Sequence, residues 1–287
     1  MNTSSLHKLL KQHAKTHLRP NGTSYLSLLH HSEREIAEKT EKSQREVQIA
    51  ALENDIIPER YCRNQQSLSS ADQIKLLKSH VTIIGQGGLG GTVTEILARI
   101  GIGRLTLVDA DIFEESNLNR QLLSTVNDLG NSKAETGKKR VQSINPAIEV
   151  SAVTSFLSSI NGVDILSGSD LAVDCLDSIP SRFELEKVCQ YLKIPLVSAA
   201  IAGSTGQATV IFPGDAGLRL IYGEEHNAAE KGIETRLGTL PYTATLMAAV
   251  ECAEAVEILC KRTASLQNTL LLADINDKSM EKIIFST

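Results

Sequence analysis

Residues 81–109, VTIIGQGGLGGTVTEILARIGIGRLTLVD, restrict the fold more than any other part of the chain. VTIIG is an unbroken apolar run, as expected of a strand covered on both faces. QGGLGG supplies a glycine turn, TVTEILARIG has helical spacing and stops at Gly101 and Gly103, and RLTLVDAD gives a second buried strand. A strand that returns through a helix to a second buried strand makes the two parallel neighbours.

The rhythm continues. SKAETGKKRVQSINP reads as a helix ended by Pro146, IEVSAVTSF as a third strand and DLAVDCLD as a fourth. IPSRFELEKVCQYLK is a helix opened by Pro180, and IPLVSAA a fifth strand. Toward the carboxyl end, GQATVIFPG, TLLLADI and MEKIIFS have the pattern of antiparallel strands at a sheet edge. PYTATLMAAVECAEAVEILCKR is apolar over most of its surface, so this helix has to be buried, and a subunit interface is expected to cover it. The expected fold is α/β: a Rossmann-like, doubly wound, mainly parallel sheet with antiparallel strands at one edge.

Residues 1–57 differ from the rest. Five of the seven histidines lie here (His7, His13, His17, His30 and His31). SEREIAEKTEKSQREVQIAALEN mixes charges of both signs with apolar Ile36, Val47, Ile49 and Leu52, which reads as one exposed amphipathic helix ended by Pro58. His13 and His17 are four apart, but with no third ligand nearby they read as solvated surface. The expectation is a helical extension over 1–57, serving as a partner or dimer surface, followed by one nucleotide-binding domain over 58–287.

Composition narrows the function classes. With 29 basic against 34 acidic residues and a net charge of −5, no basic field recruits nucleic acid. Aromatic residues make up 3% and Trp is absent, so platforms for stacked bases are scarce. No run approaches the length of a membrane span and the amino terminus lacks an apolar signal core, so a cytoplasmic protein without membrane contact is expected. The five cysteines, Cys62, Cys175, Cys189, Cys252 and Cys260, are widely spaced and contain no CxxC pair. Neither a disulfide framework nor a thiolate zinc site is expected, and the last four read as buried, inert thiols.

Gly85, Gly87 and Gly90 form GxGxxG between a strand and a helix, with Gly88 and Gly91 added. Glycines let the main chain approach a phosphate, and the helix that follows offers free N–H groups and the positive end of its dipole. Asp109, ending the second strand, can accept hydrogen bonds from ribose hydroxyls. A nucleotide is expected; the motif alone does not say which.

The run from Asp109 through Asp111 to Gln121 discriminates further. A dehydrogenase needs an acid/base residue, and the two histidines outside the extension, His80 and His226, have no recognisable partner. Asn117, Asn119, Arg120 and Gln121, with Lys133 on the next helix, are instead donors suited to a triphosphate. Asp177, at the carboxyl end of the fourth strand, is the expected Mg²⁺ ligand.

These motifs resemble the ThiF/MoeB/HesA family, the bacterial relatives of ubiquitin-activating enzymes. GQGGLGG, VDADIFEESNLNRQ, the lysine in NSKAE, CLDSIPSR and PLVSAAIAGSTGQ occur in the family's order and spacing, from about Glu59 to the C-terminus. The resemblance implies that 58–287 is an ATP-binding adenylation domain. Such enzymes bind MgATP and convert a C-terminal carboxylate to an acyl-adenylate with release of pyrophosphate. The usual substrate is a ubiquitin-like sulfur-carrier protein ending in Gly-Gly. The resemblance also implies Gly88 against the phosphates, Asp109 on the ribose, Ser116 to Arg120 along the nucleotide, and Arg120 and Lys133 on the phosphates. ERYCRNQ resembles the family's RYxRQ, which implies that Arg63 reaches the neighbouring subunit's ATP and that the homodimer is the catalytic unit.

The chain departs from the family pattern in three places. It lacks the two CxxC pairs that hold a structural zinc in many members, so no zinc is implied. The loop DAGLRLIYGEEHNAAEKGIETRLGTLP has no cysteine where many members have one for a thioester or persulfide step. Ser178 follows Asp177 where Asn is usual, a change in the base-side pocket. Cys252 has Glu251 and Glu254 beside it, an unfavourable setting for a thiolate. Adenylation without enzyme-thioester transfer is the expectation. It needs positioning and charge neutralisation and no general base, because the attacking carboxylate is already a nucleophile. The alternatives are adenylation of a short peptide's C-terminus, an inactive dimeric scaffold of the same family, and an NAD-binding oxidoreductase.

Overall fold

The computed structural model describes residues 3–227, 229 and 232–285. Residues 228, 230 and 231 of the cysteine-free loop, and Ser286 at the end of the last expected strand, lie outside the described residues.

The amino-terminal unit comprises α1 (Thr3–His13), β1 (Lys15–Leu18), β2 (Ser24–Leu28), α2 (His30–Thr40), α3 (Gln44–Leu52) and β3 (Ile56–Pro58). Its strands form a separate sheet in the order β1-β2-β3, with β3 parallel to β2. The helical extension is thereby corrected to a mixed unit, and its single exposed helix to two. Ser43 makes the break: its hydroxyl accepts from the Glu46 N–H while Glu46 accepts from the Ser43 N–H at 2.8 Å, a capping box that starts a new helix. Glu41 ends α2 in the left-handed region, φ 56°. The helix faces are covered, because Leu10, Leu28, Ile36, Val47, Ala51 and Ile56 build a small core. Pro58 ends β3, paired with Leu28, instead of ending a helix. His13 closes α1 and His17 lies in β1, so the two share no helix face.

A buried chain of hydrogen bonds ties this unit to the rest. The Gln48 amide donates to Glu33 at 2.9 Å, the Tyr61 hydroxyl donates to Gln48 Oε1 at 3.3 Å, and Asn145 Nδ2 donates to the Tyr61 hydroxyl at 2.9 Å. All four side chains are buried. Burial raises the pKa of the Glu33 carboxyl, against the pull of Gln48 and Arg60.

The larger unit continues with α4 (Ser70–Lys78), β4 (His80–Ile84), α5 (Gly88–Ile100), β5 (Arg104–Val108), α6 (Lys133–Ile144), β6 (Glu149–Val153), α7 (Gly162–Leu166) and β7 (Leu171–Asp174). It ends with α8 (Ile179–Leu192), β8 (Leu196–Ala202), β9 (Thr205–Ile211), α9 (Arg219–Tyr222), α10 (Glu234–Leu237), α11 (Pro241–Leu259), β10 (Thr269–Asp274) and β11 (Ser279–Ile284). Eight strands form one sheet, β11-β10-β9-β8-β7-β4-β5-β6. Strands β4 to β8 run parallel, and β9, β10 and β11 are antiparallel additions at one edge. On β4, Val81 and Ile83 join a core with Val93 and Leu97 of α5, while Ile84 joins a second core with Phe183 and Leu185 of α8. Successive strand residues thus feed opposite faces, each covered by helices, which is the doubly wound α/β arrangement.

Helix α11 is buried on its own sheet: Ala244, Met247, Ala248 and Ala255 have no exposed surface, and α5, β8 and β9 cover them. The subunit interface expected for α11 is not needed to hide it. Among the described residues no helix is long and apolar enough to cross a membrane.

Candidate active site

The strand order reverses at β4, with β5 on one side and β7 on the other, and a crevice opens there beyond the carboxyl ends of the strands. Gly85, just after β4, has φ +93°, and a Cβ there would lie 2.6 Å from the Cys175 carbonyl oxygen of the neighbouring β7 turn. Only glycine fits a left-handed conformation at such close range. Gly90 sits inside α5 with its Cα against the Gly85 carbonyl, so it brings helix to strand and does not face the crevice.

The crevice is a cavity of about 880 Å³, in the range of small-molecule sites. Its floor includes Gly85, Gly87 and Gly88, at the amino end of α5, where the first N–H groups lack helical partners. Asp109, Asp111, Asn117, Arg120, Gln121, Lys133, Asp177 and Ser178 also line it. Besides Gly90, three expected site residues do not. Ser116 and Asn119 lie outside the wall, and each uses an oxygen to hold Arg120: its Nη1 donates to the Ser116 carbonyl at 3.0 Å and to Asn119 Oδ1 at 2.8 Å. They hold the arginine head from outside the cavity wall.

Arg63 is the third. It follows the buried Tyr61 and is exposed, at the end of the sheet where Asn145 precedes β6 and Gly101 precedes β5. That is opposite the cavity, so Arg63 does not reach the site of its own subunit.

The cavity carries a graded charge. Lys133 Nζ lies 3.1 Å from Asp111 Oδ2, with the lysine side chain buried and the aspartate half-exposed. Asp109 accepts from the Gln86 N–H at 2.6 Å and from the Asp111 N–H at 2.8 Å. Burial nonetheless raises its pKa, against those two bonds and the charge of Lys133. Gln121 is buried, and its Oε1 has no hydrogen-bond partner among the described residues, an acceptor left open beside the cavity. The Asp177 carboxylate is exposed in the wall and, among the described residues, makes no hydrogen bond or ion pair.

Other wall residues had not been singled out from sequence. Phe156, 73% exposed on the rim after β6, is the cavity's exposed aromatic ring. Arg182 and Asp174 form a buried ion pair at 2.7 Å. Burial works against the guanidinium, yet the Asp174 charge, with Tyr222 and Glu251, holds its pKa above the ordinary value. The signal was present: a carboxylate inside the apolar run LAVDCLD cannot be buried without a partner. Opposite the glycines, Ala200, Thr205, Gln207, Tyr222, Ile233, Glu234 and Leu272 form a second wall, with Gln207 donating to the Tyr222 hydroxyl at 2.8 Å.

The thiols stand apart from this chemistry. Burial pushes the Cys252 thiol well up, and Glu251 adds to the effect. Cys175 borders the cavity, but burial, followed by Glu251 and Asp174, raises it as well. Neither thiol is prepared as a nucleophile. Glu251, inside α11 with no exposed surface, is also pushed well up, by burial first and then by Asp174. No histidine lines the cavity among the described residues.

Residues 61–286 match the ThiF family. The SAMP-activating enzyme E1 of Haloferax volcanii is 33% identical over 237 residues, covering 80% of this chain and 86% of that protein. The sulfur carrier protein adenylyltransferase of Thermus thermophilus is 34% identical over 223 residues, covering 74% and 80%. Among solved structures, E. coli MccB with AMPCPP and selenomethionine MccA has a TM-score of 0.68 at 26% identity, covering 79% of this chain and 71% of that one.

Proposed function

This chain belongs to the ThiF family, and from that premise we propose that it is an ATP- and Mg²⁺-dependent adenylyltransferase acting on the C-terminal carboxylate of a ubiquitin-like sulfur-carrier protein. The observation that carries the reading is the convergence of Arg120, Lys133 and the unpaired Asp177 carboxylate on one cavity at the amino end of α5. In the proposed reaction a carrier carboxylate oxygen attacks the α-phosphorus of ATP, the bond to the bridging oxygen breaks, and pyrophosphate leaves. Lys133 and Arg120 offset charge on the phosphates, while Gly87, Gly88 and the N–H groups of α5 bind them. Asp109 is assigned to the ribose, and Asn117, Gln121 and Ser178 to the nucleotide's polar edges. No general base is required, which suits a cavity without histidine.

The site fits a magnesium ion, since Mg²⁺ takes one or two protein carboxylates and completes its shell with phosphates and water. Asp177 is the candidate ligand, and the ion would supply neutralising charge on the phosphate oxygens.

Arg63 enters only through a second copy of the chain. Its position at the far end of the sheet supports a homodimer in which each subunit completes the other's site. Exposed Leu122 and Val126, on the segment that follows Arg120, are apolar surface suited to such a contact.

A shorter acceptor, a peptide with a free C-terminus, is the second reading, favoured by the likeness to MccB, while the cysteine-free loop suits both acceptors equally. Labelled pyrophosphate exchange into ATP separates the two. Exchange with a Gly-Gly carrier supports the first, exchange with a peptide alone supports the second, and none with either favours an inactive scaffold.

A further inference from the structure

Asp177 has to be aimed, and among the described residues nothing holds its side chain. Its neighbours, by contrast, are fixed on both sides. Before it, the Leu176 N–H donates to Asp174 Oδ1 at 3.0 Å, and the Leu176 carbonyl accepts from Arg182 Nη2. After it, Ser178 caps α8, its Oγ accepting from the Ser181 N–H at 3.4 Å, with Pro180 in the first turn. Resting on the adenylation reading, we propose that Arg182 is a positioning residue, which grips the Leu176 carbonyl and so directs the Asp177 carboxylate toward the phosphate end of the cavity.

The guanidinium suits this task because it spans three segments at once. Its Nη1 donates to Asp174 Oδ2 at 2.7 Å, at the end of β7, and to the Ala199 carbonyl at 2.8 Å, in β8. Its Nη2 takes the loop carbonyl. Ser198 completes the frame, its hydroxyl donating to the same Asp174 oxygen at 2.6 Å. Arg182 is 4% exposed and Asp174 has no exposed surface, so water does not loosen the assembly. A buried ion pair gives little net stability over apolar packing, which makes geometry the better account of its presence. A lysine at position 182 keeps the charge opposite Asp174 but, with one nitrogen, cannot reach both carbonyls in the arginine's fixed fork.

The test uses the full chain and two readouts that need no turnover. Hydrogen exchange at the Leu176 amide, which donates to Asp174, reports whether the turn braced by Arg182 stays closed, and Mn²⁺ binding in the presence of AMPCPP reports where Asp177 points. In Arg182→Lys the Leu176 amide is expected to exchange about tenfold faster, and the half-saturating Mn²⁺ concentration to rise roughly tenfold, the lower end of the usual effect for residues that orient a metal ligand. AMPCPP affinity in EDTA should stay within about twofold, since the phosphate donors are untouched. Ser198→Ala, which removes the bond to Asp174 and the longer one from Arg182 Nη1 at 3.4 Å and uncovers no charge, should move both readouts the same way by less, and it stands in if Arg182→Lys does not fold. Unchanged Leu176 exchange overturns the proposal, as does faster exchange with unchanged Mn²⁺ binding. A parental chain that binds no AMPCPP overturns the adenylation reading instead, and Leu176 exchange still reports whether the grip exists.

Discussion

Replacing Lys133 with methionine separates charge from packing. Methionine keeps an unbranched stem of similar length, so the buried part of the side chain is refilled while the ammonium is lost. The ion pair that disappears, with Asp111 at 3.1 Å, has a partner whose side chain is 55% exposed. Such a pair contributes roughly 0–1 kcal/mol, and the freed carboxylate hydrates. The melting temperature should therefore fall by no more than about 4 °C, given ~2–4 °C per kcal/mol for a domain of this size. Catalysis should suffer far more. A unit charge about 5 Å from a phosphate oxygen, at an effective dielectric of about 20, contributes roughly 3 kcal/mol. At 1.36 kcal/mol per factor of ten, that is a loss of roughly two orders of magnitude in rate. Carrier-dependent pyrophosphate exchange measures the rate, and calorimetry on the same preparation measures the melting temperature. A fall in exchange of less than about threefold, or a fall matched by unfolding, refutes the assignment of Lys133 to the phosphates.

Two further outcomes follow from geometry and titration. If Arg63 acts across a dimer, mixing Arg63→Ala with Lys133→Met lets half of the randomly reassociated dimers hold one intact site out of two, restoring about a quarter of parental exchange; no recovery after subunit exchange sinks the trans role. For Glu251→Gln, the folded-state pKa of Glu251 lies well above its ordinary 4.5, so its contribution is present below pH 4.5 and lost as pH rises toward the folded value. The glutamine variant should therefore gain stability over the parent as pH climbs above 4.5, by up to about 1.36 kcal/mol per pH unit. Parallel denaturation curves across pH 5–8 would show that Glu251 is ionised in the native state.

The parallel strands and the glycine turn were legible because each rests on a local rule: apolar runs for strands covered on both faces, and glycine where backbone meets backbone. The cavity lining was legible for a related reason, since Asp109 to Gln121 is one contiguous segment following β5. What escaped depends on pairings distant in sequence. Asp174 and Arg182 were in view within CLDSIPSR and its flank, but their union depends on Ser198 and Ala199 in the next strand. The sequence shows Glu251 only as an acidic neighbour of Cys252, and the fold also sets it beside Cys175, whose Sγ lies 3.9 Å from it. The amino-terminal unit was misread for a different reason. The S-x-x-E signal at Ser43 and Glu46 was available, but the continuous mixed-charge pattern across it suggested one helix. The expected strand IEVSAVTSF runs through Phe156, but β6 ends at Val153 and leaves the ring exposed on the rim.

Anyone transplanting the nucleotide-binding unit into a chimaera will find no clean seam ahead of it. The family match begins at Tyr61, midway along the hydrogen-bonded line from Glu33 to Asn145, so a fusion joined there severs the line and leaves polar atoms stranded in the interior. Leu77, packed with Leu52 and Tyr61, would also lose Leu52 from its cluster. A fusion keeps the line only if Gln48, Tyr61 and Asn145 are carried as a matched set.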